Sequence, residues 1–176
     1  MAKHYVDNKK LFEVLVEYKT ALLKSPKNPP PIPEFVGECL LLIANHLAMK
    51  PNFVGYTFRD DMISDAIENC VRYLHNFDPK KSQNPFAYFS QTIHYAFLRR
   101  ISREQKQTYQ KYKYAVHQSR SGEDYTHAEG DDRSIQPALW MSYENIHEFI
   151  GTYEAKLERR RRARSVDTDT VTLDSL

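Results

Sequence analysis

The 176-residue sequence predicts an all-α fold on three observations. Apolar residues recur at three- and four-residue spacing in successive windows, the period of a helix with one buried face. No run of residues alternates apolar and polar well enough to form a half-buried strand. Stretches bearing proline, SPKNPPPIP, PNFVGY and DPKKSQNP, separate the windows, and proline fixes φ and removes an amide donor. With 41% hydrophobic residues, 27% charged and only 5 Gly, the chain can build a packed core. A compact helical domain with a mobile C-terminal extension is expected.

The first helix is expected over 8–24, where Leu11, Val14, Leu15, Tyr18 and Leu22 share a face. SPKNPPPIP (25–33) closes it as a stiff connector. A second helix is expected over about 34–49, striped by Val36, Leu40, Ile43 and Leu47. Thr57 offers an N-cap to the third, with Asp60 completing a capping box. Its apolar face reads Ile63, Ile67, Cys70, Leu74 and Phe77. Asn84 followed by Pro85 starts the fourth helix, which runs past Arg103, with Phe86, Phe89, Ile93, Phe97 and Ile101 inward.

After about 117 the character changes. Residues 118–137 read as a polar, acidic linker, and 138–164 as a helix ending in Arg159-Arg160-Arg161-Arg162 and Arg164. Residues 165–176 are expected to be extended. The organisation is therefore an N-terminal helix and connector (1–33), a main domain (34–117), a linker, a basic-ended helix and a tail.

Charge is segregated along this order. From Phe77 to Arg120 there are nine Lys or Arg against two acids. Tyr88, Thr92, Tyr95, Arg99, Arg103 and Lys106 fall on one face of the fourth helix, opposite its apolar stripe. Cations hold phosphates and ring faces stack on unpaired bases, so this pattern suits a nucleic-acid strand. The bland reading of the same residues is a solvated basic face. Asp60, Asp61, Asp65 and Glu68 on the third helix complement its dipole. They could also line a magnesium site of a nuclease, or dock on a basic protein. Cys39 and Cys70 read as small core residues. The seven histidines are scattered and no glycine-rich loop precedes a helix, so neither a catalytic constellation nor a phosphate cradle is expected. No apolar run is long enough to span a membrane, and no export signal opens the chain.

The run DDMISDAIENCVRYLHNFDPKKSQNPFAYFSQTIHYAFLRRISRE (60–104) resembles region 2 of bacterial sigma factors. Asp61-Met62-Ile63, Phe77-Asp78, Lys80-Lys81, Tyr88, Ile93, Ala96, Arg99 and Ile101 match that pattern without a gap. The stretch 52–117, with G-Y-T, L-H-N-F-D, N-P-x-A-Y and K-Y-x-Y-x-V-H, is similar to the late-promoter sigma factors of T-even bacteriophages.

That resemblance implies a non-enzymatic subunit, with no cofactor or metal, that directs bacterial core RNA polymerase to A/T-rich late promoters in the host cytoplasm. It implies a monomer when free, without membrane contact. Asp61, Ser64, Asp65 and Glu68 would dock on the coiled coil of the largest polymerase subunit. Phe77, Lys81 and Tyr88 match positions that surround a flipped promoter base, with Lys80 beside them. Tyr95 and Arg99, and Arg103 on the same face, would meet the upstream duplex edge. Gln91 and Thr92 stand where housekeeping sigma factors carry a tryptophan pair, so the strand-opening wedge is built differently. Thr172-Leu173-Asp174-Ser175-Leu176 is similar to the family's tail that binds the phage sliding clamp. Leu173, Asp174 and Leu176 would make that contact, with Ser175 in place of the usual aromatic. Two other classes stay open: a metal-dependent nuclease using the 60–68 carboxylates, and an anti-sigma or adaptor protein that binds polymerase but never DNA.

Overall fold

A computed structural model describes residues 5–25, 28–121 and 136–173, with the backbone alone for 118–121, 136–144 and 164–173. Within them lie five helices, α1 (Asn8–Lys24), α2 (Glu34–Ala48), α3 (Arg59–Arg72), α4 (Pro85–Ser121) and α5 (Gln136–Leu173). A single 3-10 turn, Leu74–Asn76, follows α3, and the described residues contain no strand. The fold is all-α.

Local chemistry sets the helix starts. Asp7 caps α1, its Oδ1 accepting the Lys9 and Lys10 amides at 3.1 Å. Asn84 caps α4 by accepting the Ala87 amide at 3.1 Å, and Pro85 fills the first helical position, where its missing N–H costs nothing. Asn8 reaches across to accept the Phe86 amide at 2.9 Å, joining the start of α1 to the start of α4. The expected cap of α3 is different. Thr57 does not cap it; the cap position is Phe58, with no side-chain hydrogen bond. Buried Phe53, whose amide donates to the Lys50 carbonyl at 2.8 Å, fixes the preceding turns, and the chain enters α3 at Arg59, one residue later than a Thr57 cap would place it.

Two compact units divide at Arg103/Glu104, inside α4. The sequence placed the boundary after 117, where polarity changes. The inner face of α4 meets the core of the first unit only as far as Ile101, which accounts for the earlier division.

In the first unit Leu11 and Leu15 of α1, Val36, Leu40 and Ile43 of α2, and Phe89, Ile93 and Phe97 of α4 are fully buried together. The N-terminal helix therefore belongs to the main core and is not a separate appendage. On α3 the innermost stripe is Met62, Ala66 and Cys70, with Ile63 and Ile67 half-buried at its side. The expected Ile63/Ile67 face is rotated by one position because α3 packs on both α2 and α4, which widens its covered arc. Cys39 and Cys70 are buried free thiols, and burial pushes Cys70 up to about 12.

In the second unit α4 beyond Arg103 packs on α5. Tyr109 stacks on Tyr153 at 4.6 Å between ring centres, Tyr112 meets Phe149 edge-on, and Ile150 is buried. Glu154 accepts from Tyr109 Oη and pairs with Lys113, both at 2.8 Å. Those two hydrogen bonds, that from Lys113 the stronger, hold its carboxyl below the usual range. The helix expected over 138–164 continues to Leu173, where an extended tail was expected. Each residue added to a formed helix gains a hydrogen bond, so an established helix carries weak helix formers along. Of the linker expected over 118–137, residues 118–121 continue α4 and 136–137 open α5, because the helices run on past the change in polarity; 122–135, Asp174 and Leu176 lie outside the described residues.

Candidate nucleic-acid interface

The expected DNA face is built from α4 and the loop before it. Asp78 organises that loop: its Oδ1 accepts the Lys80 amide, and its carbonyl accepts the Lys81 and Ser82 amides, all at 3.0 Å. The turn leaves Lys80 and Lys81 exposed at the N-terminal end of α4. One helical turn at a time, Tyr88, Gln91 and Thr92, Tyr95, Arg99 and Arg103 follow along the helix.

These positions are not equivalent. Tyr95 is 52% exposed and lines a shallow depression with Leu98, Arg99 and Ser102. The Leu98 side chain, 42% exposed, adds apolar surface there that the helical-face count missed. Arg99 extends over the surface and donates through Nη2 to Asn69 Oδ1 at 3.0 Å, which steers its guanidinium toward the end of α3. Gln91 is exposed, while Thr92 is half-buried and donates to the Tyr88 carbonyl at 3.0 Å.

Two expected site residues sit deeper. Phe77 is 2% exposed, wedged edge-on against Tyr88 at 5.3 Å and tilted against Phe89 at 5.9 Å. Its ring is core and presents no face to a base, which corrects the expectation. The signal was in the sequence: Phe77 also ends the apolar face of the third helix window. Tyr88 is half-buried between Phe77 and Phe89, and burial raises its hydroxyl above the ordinary tyrosine range. Only part of its ring is reachable.

The acidic face of α3 is partly spoken for. Asp65 lies 3.2 Å from Arg100 Nη1 and 3.6 Å from Arg103 Nη1. Asp61 lies 3.1 Å from Arg100 Nη2. Arg100, 18% exposed, thus bridges two carboxylates one helical turn apart and latches α3 to α4. Asp65 is 25% exposed and Asp61 60%. Glu68 pairs with Arg72 on its own helix, and Ser64 Oγ donates to the Asp60 carbonyl at 2.9 Å. Arg103, expected on the DNA face, lies 3.6 Å from Asp65 with 61% of its side chain still exposed, so it keeps a place on that face. As docking residues, Asp61 and Glu68 remain on the surface; Asp65 is structural first.

Arg100 escaped the sequence reading because helical projection sets it about 100° from Arg99, off the counted cationic face and within the arc of the apolar stripe, between Phe89 and Ile93. Its signal was the acidic pair at i and i+4 on α3, which needs a cation when packed against another helix. Two of the four carboxylates of the nuclease reading, Asp61 and Asp65, therefore converge on a guanidinium, while Asp60 and Glu68 lie beside Arg59 and Arg72. Among the described residues no three His, Cys, Asp or Glu side chains come together as a metal site. Leu173 ends α5, and its side chain lies outside the description, as do Asp174 and Leu176.

The fold and this face define an all-α protein with a cationic, aromatic surface along one helix and a latched acidic helix beside it. No protein-family model and no curated protein matches the chain. No helix among the described residues is long and apolar enough to cross a membrane.

Proposed function

We propose that the chain is a sigma-type subunit that joins bacterial core RNA polymerase and opens A/T-rich late promoters of a bacteriophage. The observation that carries this reading is the exposed strip of α4. Tyr95 offers a ring to an unstacked base, with Leu98 and Arg99 beside it and Lys80 and Lys81 at the head of the helix. Base–aromatic stacking contributes about 1–3 kcal/mol per base, and the cations hold the strand's phosphates. Asp61 and Glu68 supply negative charge on the adjoining helix for a basic coiled coil of the polymerase, and the sequence resemblance to sigma region 2 covers the same two helices. With Phe77 in the core, the base-contacting role moves to Tyr95 and the reachable part of Tyr88. Clamp contact falls to Leu173, Asp174 and Leu176 of the tail.

The test is run-off transcription with core polymerase on a template carrying a phage late promoter. Initiation at one defined start that depends on the added chain supports the proposal. Initiation indistinguishable from core alone removes it.

A further inference from the structure

The surface of α5 carries a second cluster of charge that the proposed promoter contact does not use. Arg159, Arg160, Arg161 and Arg162 are all exposed, and Arg164 follows them in the same helix. Successive residues turn by about 100°, so four consecutive arginines surround most of the helix circumference. Arg161 lies toward α4, in a shallow depression with Tyr109, Glu154, Leu157 and Glu158. Arg159, Arg160 and Arg162 occupy the other azimuths. Among the described residues Glu158 lies 3.5 Å from Arg162, with side chains 68% and 84% exposed, and Glu154 shares the depression with Arg161. So exposed a pair as Glu158 and Arg162 is weak and screened by salt.

The chemistry of the run narrows its partner. Over 156–163 the only apolar side chains are Leu157 and Ala163, so the helix has no apolar stripe to sink into a bilayer. The cations are arginines, whose planar fork binds phosphate oxygens two at a time. They project from continuous helix, which continues to Leu173. A rigid rod with guanidinium groups on several sides fits an array of phosphates.

We infer that the Arg159–Arg162 run is a nucleic-acid contact separate from the α4 face, binding the phosphates of duplex DNA without regard to sequence. It requires no polymerase, so its failure and the failure of the sigma reading are separate events.

The test uses the full chain, no polymerase, and a short labelled duplex of arbitrary sequence, titrated at several salt concentrations. Each phosphate contact contributes about 0.9 to the slope of log affinity against log salt, so R159Q/R160Q/R162Q should flatten the slope by about 3. The corresponding triple lysine variant, which keeps the charge, should retain most of the slope. A glutamine variant with the wild-type slope overturns the inference. So does wild-type binding to phosphatidylserine vesicles as tight as to DNA, which would assign the run to a membrane. Should the glutamine variant lose helix by circular dichroism, phenylglyoxal modification of the wild-type chain decides. Duplex DNA should shield Arg159, Arg160 and Arg162, and equal modification with and without DNA contradicts the assignment.

Discussion

Phe77 and Tyr95 are both aromatic residues next to basic ones, and substitution separates them. Phe77→Ala empties a buried ring site and should destabilise by about 3–5 kcal/mol in chemical denaturation. Tyr95→Ala should change stability by less than about 0.5 kcal/mol, since the ring is half in water. In the proposed function it is Tyr95→Ala that reduces open promoter complexes while sparing polymerase binding. A pre-melted bubble template, whose strands are already apart, should restore part of the loss. Equal stability losses in the two variants would contradict this division of core from surface. The thiols give a pH signature. Burial raises Cys70 from 9.0 to about 12, so at a given pH its thiolate population in the folded chain is about a thousandfold lower than that of an ordinary thiol. Cys39 is raised as well, first by burial and then by the Glu38 charge. Titration with a disulfide reagent at pH 8 should find both slow in the native chain and fast in denaturant. The linkage has one sign: the unfolded thiol ionises first, so the Cys70 contribution is intact below pH 9 and lost as pH rises toward about 12. Rapid native labelling would refute the buried placement.

At the scale of elements, α3 and α4 are joined by ionic contacts as well as by apolar packing. Asp65→Lys would set an ammonium against Arg100 and Arg103, at 3.2 and 3.6 Å from the present carboxylate. Losing a charged hydrogen bond in a partly buried site costs about 1.5–3 kcal/mol, and repulsion adds to it. The variant should unfold at lower denaturant, whereas Glu68→Lys, on the outer face beside Arg72, should stay near wild type. Coincident denaturation curves for the two would remove the latch. Charge reversal at Glu68, and not at Asp65, is thus the clean probe of polymerase docking. Helix periodicity made α1 and α2 legible almost to the residue, and the Asn84-Pro85 signal located the start of α4. The start of α3 was less legible because Phe53 packing, a tertiary effect, overrides the Thr57 capping signal. The Phe77 role was misread for the same reason. A single aromatic in a basic stretch looks alike in sequence whether it faces core or solvent, and only its neighbours Tyr88 and Phe89 decide.

For the whole molecule, the proposed function gives charge separate tasks: Asp61 and Glu68 would meet a protein partner, the α4 strip an opened strand, and the α5 arginines duplex phosphates. The cationic and aromatic character of α4 was visible in its sequence spacing. Which of its cations stay available was not, because Arg100 is committed to α3 by folding while Arg103 stays largely exposed beside Asp65. The central claim is that Tyr95 meets promoter DNA only as part of a polymerase complex. A photoreactive amino acid at position 95, irradiated on a labelled late-promoter duplex with and without core polymerase, tests this most directly. The expected result is a crosslink confined to the A/T-rich element and dependent on polymerase. Crosslinking of equal yield and spread without polymerase, or none with it, would contradict the account.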